Sequence, residues 1–61
     1  MMPRRHSAIL KLLEGRGALS ITALAEALDV SGETMRRDVR ALVESGAVVR
    51  GHGAVGLTGQ I

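Results

Sequence analysis

Three arginines within five positions, Arg36, Arg37 and Arg40, are the side chains of this chain best suited to chemistry. A guanidinium presents a planar fork of N–H donors that matches a phosphate, or the O6/N7 edge of guanine, two bonds at a time. Groups of complementary kind stand just before them. Glu33 offers an acceptor for a cytosine amino group, Thr34 a methyl for thymine, and Ser31 a hydroxyl beside helix N–H groups that suit a phosphate. Further along, Arg50 and His52 are of the type that meets phosphate or reaches a minor groove. Asp38 is the odd residue, an acid inside a basic run, and it reads as a structural partner for an arginine or a neighbouring helix. Together these residues form a DNA-contacting set. Catalysis is not expected, because the chain has no Cys, no Gly-rich loop with a following Lys, and no acid pair with enough sequence around it to build a pocket. No cofactor is implied. His6 and His52 are too few for a metal site, and Met35 reads as core.

Such side chains act together only if a helix presents them, and the apolar pattern supplies one. At 100° per residue Met35, Val39, Leu42 and Val43 fall on one stripe, with Glu33, Arg37 and Arg40 opposite and Thr34 and Arg36 on the flanks. Ser31 is the expected N-cap of this helix, which extends to about Glu44 or Ser45, and Gly46 supplies the C-cap. A preceding helix, capped by Ser20, is expected to bury Leu24 and Leu28, with Ala25 small enough for a close crossing. Asp29-Val30-Ser31 breaks the pattern between the two, which makes a helix-turn-helix. An earlier helix is expected from about Arg4 to Glu14, with Pro3 near its start and Ile9, Leu10, Leu12 and Leu13 on its apolar side. Gly15-Arg16-Gly17 ends it, and Leu19 follows as a short extended segment. Arg4, Arg5 and His6 leave two alternatives open, a basic arm on the DNA backbone or an exposed end of the chain.

After Gly46, two β-branched-rich runs flank Gly51-His52-Gly53 and predict a hairpin. Three helices followed by a two-stranded hairpin make a winged helix-turn-helix, a mostly α, small α+β fold. The DNA-binding unit is expected over residues 1–57, with 58–61 as a linker or frayed end.

Composition agrees with that reading. Sixty-one residues allow one small domain, and with no Cys and no aromatic residue the core must come from Leu, Ile, Val, Ala and Met. Lack of aromatics disfavours modules that stack splayed bases on aromatic platforms. The net charge of +2 lies wholly in residues 36–61, and seven of the eight basic residues are Arg, which suits a few placed contacts more than a purely electrostatic binder. No apolar run approaches the length of a membrane span and no export signal is evident, so a cytoplasmic setting without membrane contact is expected.

The stretch Leu24-Ala25 through Val30-Ser31, then Thr34, Arg36-Arg37-Asp38, Leu42, Gly46, Arg50 and His52-Gly53, resembles the amino-terminal domain of the DeoR-type bacterial transcriptional repressors. The likeness covers about Arg5 to Val55. Met35 stands where that family usually has Ile, and the wing reads His52-Gly53-Ala54 where His-Gly-Gly-Ala is usual. The resemblance implies sequence-specific binding of double-stranded DNA by a transcriptional regulator, a repressor of sugar or related metabolism. It also implies a longer parent, forming a homo-oligomer through a carboxy-terminal effector domain; this chain is then the amino-terminal part of such a parent, or a naturally short protein. Two other readings of the basic face remain. The arginines form a solvated surface neutralised by Glu33–Arg37 and Arg40–Glu44 pairs, or the winged helix is a protein-interaction or dimerisation module, which calls for an exposed apolar patch.

Overall fold

The computed structural model describes residues 4–59, so Pro3 and the last two positions lie outside it. Three helices, α1 (Arg4–Arg16), α2 (Ile21–Leu28) and α3 (Gly32–Glu44), precede the antiparallel strands β1 (Val48–Gly51) and β2 (Ala54–Leu57). This is the winged helix-turn-helix.

The helix ends are set by local chemistry. Ser20 and Ser31 sit in extended backbone, and each hydroxyl accepts the N–H three residues on, Ala23 at 3.0 Å and Thr34 at 3.1 Å. The other ends each close on a residue with positive φ. Gly17 (φ 80°) donates to the Leu13 carbonyl, so α1 runs two residues past the expected Glu14 and takes Gly15 into the helix. At Gly46 (φ 84°) the N–H groups of Gly46 and Ala47 return to Val43 and Leu42, a Schellman turn that reverses the chain into β1. Asp29 (φ 55°) makes the equivalent turn after α2, with Val30 donating to Ala25. A short acidic side chain tolerates the left-handed conformation that most residues avoid.

One apolar core unites the elements: Ile9 and Leu13 from α1, Leu24 and Ala25 from α2, Met35, Val39 and Leu42 from α3, and Val48 and Val55 from the hairpin. Leu28, expected to be buried, packs on this core from its edge and is half-buried. The larger correction concerns α3. Val43 is 38% exposed, whereas Asp38 is 8% exposed and belongs to the buried face. The two residues stand on opposite flanks of the Met35–Val39–Leu42 stripe, and α1 covers only the Asp38 flank.

The hairpin pairs Val48 with Leu57 and Gly51 with Ala54, leaving His52 (φ 52°) and Gly53 (φ 78°) as a two-residue loop. Positive φ at both central residues is the type I′ turn that suits the strand twist. Leu19 exchanges hydrogen bonds with Val55 at 2.9 and 2.7 Å, so the link between α1 and α2 adds a one-residue bridge to the far edge of β2. Thr58 bonds back to the carbonyls of Gly46 and Ala47. No described helix is long and apolar enough to cross a membrane.

Candidate nucleic-acid interface

With Met35, Val39 and Leu42 turned into the core, Arg36, Arg37 and Arg40 are exposed on the far side of α3. The Arg36 guanidinium reaches back over the first turn, 3.9 Å from where a β-carbon on Gly32 would stand. Glu33 occupies that turn, where the helix dipole favours a carboxylate. The hydroxyl of Ser31 caps the helix and also donates to Thr34 Oγ1 at 2.9 Å, so both hydroxyls are engaged in shaping the start of α3.

Arg50 joins this surface for a reason of register. Strand side chains alternate between faces, and residues paired across strands share one, so Arg50 lies on the inner hairpin face with Val48, Val55 and Leu57. Val48 and Val55 are in the core, while Arg50, nearer the hairpin tip, is exposed and turned toward α3. Arg36, Arg37, Arg40 and Arg50 thus line, with Glu33, a shallow open concavity of about 310 Å³ between α3 and the wing. Four cations face one anion there.

None of these arginines is neutralised within the described residues. The ion pairs there are Arg5–Asp38 and His6–Asp38, and neither Glu33–Arg37 nor Arg40–Glu44 forms. Ser31 and Thr34 stand at the start of α3 and His52 at the hairpin tip, outside the lining of the concavity.

Residues 5–60 match the DeoR-like helix-turn-helix domain. The chain belongs to the DeoR family.

The family's members are DNA-binding transcription regulators, and the chain's relatives carry such names. It is 48% identical over 52 residues to the HTH-type transcriptional repressor CsqR of Escherichia coli, covering 85% of this chain and 20% of that protein. The glycerol-3-phosphate regulon repressor of Haemophilus influenzae is 49% identical over 49 residues, with 80% of this chain and 19% of the relative covered. The L-fucose operon activator of Escherichia coli is 43% identical over 53 residues, or 87% and 22% of the two chains. The chain therefore spans about a fifth of the length of these relatives. No solved structure matches it.

Against the DeoR pattern, Met35 in the usual Ile position is fully buried, so the flexible thioether fills the same core space. Asp38 of the DeoR-like Arg-Arg-Asp run has the structural partner expected of it. Arg5 donates from Nε to Asp38 Oδ2 and from Nη2 to Oδ1 at 3.3 Å, and His6 Nε2 stands 3.5 Å from Oδ1. The Arg5 hydrogen bonds hold the Asp38 carboxyl below the usual carboxylate range; burial opposes this, and the charges of Arg5 and His6 reinforce it. Arg5 and His6 are thus tied to α3 from the first turn of α1, while Arg4 and Arg5 remain exposed there. The sequence carried a signal for this: the positions three and four residues from Asp38 are Thr34, Met35, Ala41 and Leu42, none of them basic, so its partner must come from another element.

Proposed function

We propose that α3 is the recognition helix and enters the major groove of double-stranded DNA, with the wing beside it on the backbone. In this reading Arg36, Arg37 and Arg40 divide between guanine edges and phosphates, and Glu33 and Thr34 read cytosine and thymine from the first turn. Ser31 marks the helix start where free N–H groups meet a phosphate, and Arg50 and His52 hold phosphate or the minor groove from the wing. The observation that carries the proposal is the convergence on one open concavity of four arginines from α3 and β1 that pair with no acid among the described residues. An interaction module is disfavoured, since Val43 is the one large apolar side chain that is exposed among the described residues.

At the scale of the whole protein, the proposal is a cytoplasmic regulator of sugar or related metabolism, and a repressor. Among the relatives named above two are called repressors and one an activator, and the glycerol-3-phosphate and L-fucose in two of those names support the metabolic part. Its full-length form is proposed to be a homo-oligomer that sets two copies of this unit, residues 1–57, on paired half-sites. The chain itself is proposed to be a binder and not an enzyme.

The test is fluorescence anisotropy with a labelled mixed-sequence duplex across a salt series. With about four to six phosphate contacts, log K is expected to fall against log salt with a slope of about −4 to −5. Arg36→Ala/Arg37→Ala is expected to lose the binding. A slope near zero, or a variant that binds as well as the parent chain, overturns the reading in favour of an interaction module.

A further inference from the structure

Asp38 is the one charged residue buried among the described residues, and it lies in the middle of the basic run of α3. Arg36, Arg37 and Arg40 stand one or two positions from it and point elsewhere, since only residues three and four apart face each other on a helix. Both carboxylate oxygens are instead engaged by the first turn of α1, through Arg5 and His6. The basic groups that face Asp38 are thus Arg5 and His6 from α1, and on its own helix it borders the buried stripe of Met35, Val39 and Leu42. A two-pronged guanidinium–carboxylate contact fixes orientation as well as distance. Here it ties the back of α3 to α1, directly behind the surface that carries Arg36, Arg37 and Arg40.

We infer that Arg5 and Asp38 are positioning residues of the DNA interface: Arg5 supports DNA binding by setting α3 through Asp38 and does not itself touch phosphate. The inference rests on the reading of α3 as the recognition helix. It also makes a prediction opposite in sign to simple electrostatics. Removing an acid from a DNA-binding surface ordinarily strengthens attraction to the phosphates, whereas removing this one loosens the helix that carries the arginines.

The experiment is a double-mutant cycle on the 61-residue chain, with Arg5→Ala, Asp38→Asn and the two combined. Each is titrated with a labelled mixed-sequence duplex over a salt series, and thermal melting by circular dichroism establishes the folded fraction. After correction for that fraction, each single variant is expected to bind about threefold to tenfold more weakly, with the double no weaker than the weaker single. Tighter or unchanged binding by Asp38→Asn overturns the inference. So does a cost of Arg5→Ala that persists in the Asp38→Asn background together with a salt slope shallower by about 0.9, the mark of one lost phosphate contact. Where Arg5→Ala is unfolded at the assay temperature, Arg5→Lys replaces it. Lys keeps the charge but not the fork, so weaker binding at the parent salt slope is expected, and parental affinity overturns the inference. If the parent chain itself shows no salt-sensitive binding, it is the recognition-helix reading that fails.

Discussion

A carboxylate buried in a helix that is otherwise basic has to be accounted for before any arginine around it. Asp38 has a folded-state pKa below its ordinary value, and the sign of its linkage follows directly. The group contributes stability that is fully present above the ordinary carboxylate range and is lost as pH falls through its lowered folded value. Thermal melting from neutral pH downward is therefore expected to show a drop in Tm on the acid side of that range. The Asp38→Asn chain, lower in Tm at neutral pH, is expected to lack this portion of the drop. A Tm at pH 7 that is the same for both chains sinks the account. The exposed arginines are expected to behave in the opposite manner. Arg36→Ala and Arg40→Ala are expected to change stability by less than about 0.5 kcal/mol, since each side chain is exposed and pairs with no acid among the described residues, and to affect DNA binding instead.

Element boundaries rest on single residues, and two of them are informative. Ser31 caps α3 and braces Thr34, so Ser31→Ala is expected to cost about 1 kcal/mol in chemical denaturation, with Ser31→Asp retaining most of the stability. An Ala variant as stable as the parent chain would show that the cap is not holding the helix start. Gly46 has open space for a β-carbon but a φ of 84°, so Gly46→Ala is opposed by backbone conformation and not by crowding. A loss of about 1 kcal/mol is expected there as well. Both caps were legible in the sequence, as were the Met35, Val39 and Leu42 members of the α3 stripe, the helix-turn-helix and the hairpin. These are local features, in which a serine or glycine satisfies its own neighbours and no distant contact is needed. The extra two residues of α1 were less legible, because Gly15 and Gly17 are equally plausible stops until one of them adopts positive φ.

At the scale of the molecule, stability comes from one small aliphatic core to which every element contributes. Leu13 and Leu24 are fully buried in it, and a Leu→Ala change in such a site typically costs about 2–5 kcal/mol. A domain of this size has about 3–9 kcal/mol to lose at the usual per-residue stability. Leu13→Ala or Leu24→Ala is thus expected to leave the chain largely unfolded at moderate temperature, and a cooperative melt close to the parental Tm would contradict the assigned core. The wing is part of the same unit. Val48 and Val55 enter the core and Leu19 binds β2 through its backbone, so the hairpin is held by its inner face and by the outer edge of β2.

What the sequence determined by itself was everything governed by short-range periodicity and residue chemistry: three helices and a hairpin, the caps at Ser20 and Ser31, the exposed arginines of α3, and the run of motif residues that marks the DeoR family. Only the tertiary structure decided which flank of α3 is covered. Val43 and Asp38 border the same stripe from opposite sides, and nothing local to α3 says that α1 lies over the acid and leaves the valine in water. The same holds for Arg5 and Asp38, 33 positions apart, and for Arg50, whose place beside Arg36, Arg37 and Arg40 depends on the hairpin register and on the Leu19 bridge. Periodicity fixes direction within an element, but the meeting of faces from different elements is settled by how their apolar surfaces pack.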